Sequence, residues 1–162
     1  MKKRMGLIIL VLLVWAVFMP GAAVAQMKCN TVEVHMSGWF EDACGEGWCG
    51  DGRLIGTLNG PFFGSGLNSD IEYPSFGDSH VWKGQYTIET KQGEIFTTAI
   101  GHSYWQTFYL GTGTNQETHV ITGGTGRYES ASGFLFMIYK FPLPDYFPAT
   151  GEMSGQICWP EE

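Results

Sequence analysis

Glu117 and His119 stand two residues apart in segment 116–123, whose alternation reads as a strand, so both side chains share one face. A carboxylate beside an imidazole can pass protons as a general acid/base pair. Alternating polar residues on an antiparallel sheet usually face water, so the pair is expected on the outside, solvated. His35, His80, His102 and His119 show no spacing of a metal-binding type, and no metal or other cofactor is implied. No G-x-S-x-G elbow occurs, and Gly64-Ser65-Gly66 reads as a flexible loop, so no catalytic residue is assigned.

Four cysteines read as two disulfides in an oxidising compartment. Cys44 and Cys49 bracket the loop Gly45-Glu46-Gly47-Trp48, which can bring them together as a local clip. Cys29 opens the first strand and Cys158 closes the last. Both have outward parity, so a Cys29–Cys158 bond would lock the seam if those strands pair antiparallel.

The beginning of the chain supplies the compartment. Lys2, Lys3 and Arg4 precede the apolar run Leu7 to Met19, then Pro20-Gly21 and the small residues Ala23-Val24-Ala25. This reads as a secretory signal over 1–25 with cleavage after Ala25, no membrane span once it is removed, and a secreted or periplasmic domain over 26–162. That domain holds six basic residues (Lys28, Arg53, Lys83, Lys91, Arg127, Lys140) against 16 acidic ones, a net charge of −10. Such a surface repels phosphate backbones and anionic lipid, which argues against nucleic acid as a partner.

Glycine, aromatic, Thr and Ser residues dominate 26–162, and no helical apolar stripe appears. Period-2 alternation and glycine punctuation give eight strand candidates: 31–40, 53–59, 80–90, 94–101, 103–110, 116–123, 131–140 and 151–158. Residues 61–79 and 141–150 read as long connections. Eight short strands with hairpin links predict an all-β fold, a single closed antiparallel barrel, because closure removes exposed edges.

The expected inward set is Val32, Val34, Met36, Leu54, Leu58, Trp82, Tyr86, Ile88, Phe134, Phe136, Ile138, Met153 and Ile157. An eight-stranded barrel is wide enough for a packed interior or one small ligand. Trp82, Tyr86, Tyr104, Gln106, Phe134 and Phe136 are the candidates to line a cavity for an apolar or aromatic ligand. The other faces of these strands are apolar too: an outward patch of Leu135, Met137 and Tyr139 would suit a homo-oligomer, dimer or trimer.

The most distinctive stretch is Ile121-Thr-Gly-Gly-Thr-Gly-Arg-Tyr-Glu-Ser-Ala-Ser-Gly133-Phe. Gly123, Gly124 and Gly126 allow a close hairpin, Tyr128 can fold over the barrel end, and Gly133 leaves room where a strand bends. A dinucleotide loop is excluded, because that loop needs a helix and an α/β domain after it, and only 36 residues follow Gly126.

The same stretch resembles the signature hairpin of the allene oxide cyclase and dirigent-protein barrel family, in which a Gly-Gly-Thr/Ser-Gly-x-aromatic turn precedes the penultimate strand. The resemblance is specific over about 18 residues, and strand number and length are compatible with it elsewhere. It implies a calycin-type eight-stranded barrel with a hydrophobic cavity, closest to small exported bacterial members. It brings no active-site residues, since the family's functional positions have no counterparts aligned outside the turn. Two functions follow: a non-catalytic small-ligand binder or oligomeric structural protein, which is the reading taken, and a cyclase or isomerase acting by confinement. An inward charged residue inside the barrel would favour the second.

Overall fold

A computed structural model of the chain describes residues 26–44, 47–67, 79–104, 112–142 and 148–161. The strands are β1 (Met27–Cys44), β2 (Gly47–Gly56), β3 (Gly60–Leu67), β4 (Ser79–Thr90), β5 (Gly93–Tyr104), β6 (Thr112–Gly124), β7 (Ser132–Pro142) and β8 (Ala149–Pro160). All pair antiparallel with their sequence neighbours, and β8 returns to β1, which closes the barrel. The expected all-β barrel of eight antiparallel strands is what the chain forms.

The seam between β1 and β8 is in register over its whole length, with Cys29 opposite Cys158. A disulfide joins the two. Cys49 is also disulfide-bonded. The side chain of Cys44 lies outside the described residues.

The two ends of the barrel differ. At one, residues 57–59, 91–92 and 125–131 make short turns, and the seam disulfide ties down β1 and β8. At the other, the strands are linked through 45–46, 68–78, 105–111 and 143–147, which lie outside the described residues.

Eight strands are present, though not the eight expected. Residues 60–67 form β3, where a long connection was expected, and 94–101 with 103–104 belong to one strand, β5. Inward glycines stand at both places. A Cβ on Gly64 would lie 2.3 Å from the Tyr86 ring, and one on Gly101 would lie 2.1 Å from the Trp82 ring. Glycine at these points is the space in which a neighbouring aromatic lies, and at Gly64 it reads by composition as a loop. Gly50-Asp51-Gly52, which reads as a turn, is inside β2.

Of the expected inward set, Val32, Val34, Met36, Leu54, Leu58, Trp82, Tyr86, Ile88, Met153 and Ile157 are buried. Strand β7 is inverted. Phe134, Phe136 and Ile138 face outward, 57%, 40% and 40% exposed, while Leu135, Met137 and Tyr139 fill the interior. Both faces of β7 are apolar, so its alternation carries no sign. The ladder decides it: Leu135 stands opposite His119, Met137 opposite Glu117, and Tyr139 opposite Asn115, on the inward face of β6.

The glycine-rich hairpin spans 125–131 and includes a 3₁₀ turn at Gly126–Tyr128. Gly126 is left-handed (φ 56°), and Gly123 and Gly133 also have positive φ (134° and 135°). Gly124 is required for a different reason, since a Cβ there would lie 2.0 Å from the Glu94 carbonyl oxygen. Tyr128 folds inward and is buried, closing this end against Trp159.

Candidate functional site: a buried acid–base cluster

The inward face of β6 carries Asn115, Glu117 and His119, all buried, with Thr97 and Ser103 of β5 beside them. Sequence reasoning found the Glu117/His119 pair and set it on the wrong face. Both side chains are inside the barrel, 1% and 0% exposed. No signal within the strand corrects this. Val120 is exposed at 56%, opposite exposed Phe134, while Ile121 is buried, so β6 has an apolar residue on each face and its alternation carries no sign.

Glu117 Oε2 lies 2.9 Å from His119 Nε2. The opposite ring nitrogen, Nδ1, is 3.0 Å from Thr97 Oγ1. A hydroxyl can donate or accept there, so Thr97 can support the ring with its proton on either nitrogen. Glu117 Oε1 accepts from Asn115 Nδ2 at 3.0 Å, and the same amide contacts the Tyr139 hydroxyl. Ser103 donates to Asn115 Oδ1 at 3.3 Å and accepts from Trp82 Nε1 at 3.2 Å. One network therefore runs from Trp82 through Ser103 and Asn115 to Glu117.

Its inner end is an acid–base pair. Glu117 Oε2 and His119 Nε2 are ion-pair partners, and the Tyr86 hydroxyl is coupled to the same carboxylate. Burying such groups costs several kcal/mol of desolvation even when they hold one another, so their gathering at this depth points to a role beyond packing. Burial, and then the Glu117 carboxylate, push the Tyr86 hydroxyl well above the usual tyrosine value. The same two causes, in the same order, raise Tyr139. Both phenols therefore stay protonated as donors through the physiological range.

Aromatic rings wall the cluster. Trp48 packs edge-on to Trp82 with centroids 4.8 Å apart and lies 6.0 Å from Tyr86. Tyr86 meets the His119 ring edge-on at 4.7 Å. Of the six expected cavity residues, Trp82 and Tyr86 take part in this wall. Phe134 and Phe136 are corrected to the outer surface, because β7 takes its facing from β6. Tyr104 lies on the outward face of β5 beside His102, 36% exposed, and Gln106 is outside the described residues.

Among the described residues no group of three His, Cys, Asp or Glu side chains is arranged to hold a metal ion. None of their helices is long and apolar enough to cross a membrane. The fold and the cluster together define a closed antiparallel barrel with an acid–base pair in its interior. No protein-family model and no curated protein matches the sequence.

Proposed function

We propose that the barrel is an exported enzyme of isomerase or cyclase type, which confines a small apolar or aromatic substrate and moves a proton within it. The observation that carries this is an acid–base pair buried in the barrel, Glu117 Oε2 and His119 Nε2 at 2.9 Å, with the Tyr86 hydroxyl coupled to the same carboxylate. An inward carboxylate is the feature that distinguishes a confinement enzyme from a passive binder, and Glu117 meets that condition. The reading agrees with the resemblance to allene oxide cyclases and dirigent proteins.

In this reaction Glu117 accepts a proton from a carbon beside the substrate's carbonyl or ring oxygen. Tyr86 donates a hydrogen bond to the oxygen as negative charge develops there. The proton returns at a second carbon, so the sequence is redox-neutral and needs no cofactor. His119, held by Thr97, keeps the Glu117 carboxylate oriented and can share its proton. Trp48 and Trp82, packed edge-to-face, supply the aromatic wall beside the cluster. Export is supported by the 1–25 leader pattern and by the seam disulfide.

The test is deuterium uptake by small apolar enones in D₂O. Wild type should accelerate exchange and Glu117→Gln should abolish the acceleration while its thermal melt stays cooperative. No exchange with any enone, and no retained small molecule by native mass spectrometry of protein from its source, would sink the enzymatic reading.

Self-association is a second reading, carried by the outer surface. Phe96, Ile100, Val120, Phe134, Phe136 and Ile138 project from three adjacent strands, each at least 37% exposed. Val120 pairs with Phe134, so the patch is continuous across β6 and β7. This replaces the expected patch of Leu135, Met137 and Tyr139, which is interior. Sedimentation velocity should show an oligomer that Phe136→Ser dissociates; a monomeric wild type would remove this reading.

A further inference from the structure

We propose a second ligand site, for an anionic amphiphile, at the disulfide-bonded end of the barrel, remote from Glu117. A pocket of about 430 Å³ opens there between β1, β8 and the short turns. Its floor is apolar, from Leu58, Ile157 and Trp159, and its rim is polar, from Asn30, Gln92 and Arg127. A second groove of about 350 Å³ shares Gln92, Arg127 and Trp159 and adds Lys28, Pro160 and one carboxylate, Glu161, so its lining holds two cations against one anion.

Arg127 is the centre of the site. Its guanidinium lies 4.3 Å above the Trp159 ring, and Nη1 donates to Gln92 Oε1 at 3.0 Å. Gln92 Oε1 is also 3.3 Å from the Tyr128 hydroxyl, and the Arg127 backbone N–H donates to the Gln92 carbonyl at 3.0 Å. The guanidinium is thus held in position by stacking and hydrogen bonds. In a domain with 16 acidic residues, Arg127 nonetheless makes no ion pair with a carboxylate among the described residues.

A pre-positioned guanidinium with donors to spare is what recognises a carboxylate or sulfate, and stacking lowers the entropy lost on binding. Lys28 adds a second positive charge in the same groove. The apolar floor beneath the charge selects an anion that carries an alkyl or aromatic body over a bare inorganic one. The pocket is of the size that small-molecule sites have.

The test titrates wild-type protein with octanoate, octyl sulfate and 1-octanol, read by calorimetry and by NMR shifts of the Trp159 indole. Octanoate and octyl sulfate should bind at least about tenfold more tightly than octanol, and Arg127→Gln should erase that difference. Glu117→Gln should leave octanoate binding intact, which separates this site from the barrel interior. Equal binding of octanoate and octanol, or an unchanged Arg127→Gln, overturns the proposal. So do shifts that fall on His119 in place of Trp159.

Discussion

Glu117 and His119 bring Oε2 and Nε2 to 2.9 Å inside the barrel, and neither side chain reaches solvent. Charged and polar groups at such a depth cost several kcal/mol of desolvation unless they hold each other. Glu117→Ala should therefore destabilise by about 3–5 kcal/mol, because it strands the imidazole. The double replacement Glu117→Leu with His119→Leu should recover most of that loss, since apolar groups need no partner. Urea denaturation reads both. A single replacement costing under about 1 kcal/mol would mean the pair is wetter than its burial indicates.

Alkali should weaken the fold from about pH 10 upward. Tyr86 and Tyr139 have folded-state values raised above the ordinary tyrosine value, chiefly by burial and then by Glu117. The folded state keeps both protons while the unfolded chain loses them. Their contribution is thus complete below pH 10 and falls as pH rises, by up to about 1.4 kcal/mol per pH unit for each. Tyrosinate absorbance followed beside circular dichroism checks this: both tyrosines should ionise only on unfolding. Tyr86→Phe should make the alkaline limb shallower.

Removing the seam disulfide should be costly. Cys29 and Cys158 are 129 residues apart, so their bond closes nearly the whole domain. In the chain-entropy account, replacing both by Ser should destabilise by about 5 kcal/mol. Cys29 and Cys158 are one of twelve paired positions along β1 and β8, so the backbone ladder also holds the register. The reduced barrel should keep its spectrum at low temperature and lose midpoint stability, which thermal melts with and without reductant measure.

Trp82 and Gly101 form an interlocking pair across β4 and β5. With a Cβ at Gly101 falling 2.1 Å from the Trp82 ring, Gly101→Ala should cost about 1–3 kcal/mol by overpacking. In a Trp82→Leu background the same change should cost less, giving a coupling of about 0.5–3 kcal/mol. Additive losses would mean the contact is not what requires glycine.

The two hairpin glycines should answer differently to asparagine. Gly126 is left-handed, a conformation asparagine tolerates, but a Cβ there would lie 2.6 Å from the Gln92 carbonyl oxygen, so Gly126→Asn should cost about 1–2 kcal/mol. Gly124 faces the Glu94 carbonyl oxygen at 2.0 Å from a built Cβ, so Gly124→Asn should cost markedly more, about 2–3 kcal/mol. Chemical denaturation of the two variants side by side gives the comparison. Equal effects would mean that the closer approach at Gly124 adds nothing.

Much of the architecture was legible in the sequence by itself. Strand periodicity and turn glycines carry the all-β class and the number of strands. Closure follows from the cost of exposed edges, and outward parity on the two strands that closure pairs brings Cys29 to Cys158, where the seam disulfide forms. On β1 and β4 one face is apolar and the other polar, so Val34 and Trp82 could be assigned inward from alternation.

The site was decided by tertiary structure. On β6 the residues facing in are Asn115, Glu117 and His119, and on β7 both faces are apolar, so no single-strand rule gives their direction. Their facing comes from the ladder, in which Met137 must share a side with Glu117, and Leu135 with His119. Gly64 was misread as a loop for a related reason: it is a strand residue whose side-chain volume is supplied by Tyr86 from the next strand. A strand's own residues record how much surface each face buries, and they are silent on what its neighbours bring. The buried acid–base cluster exists because closure joins β4, β5, β6 and β7 around one interior, and only the folded barrel holds that information.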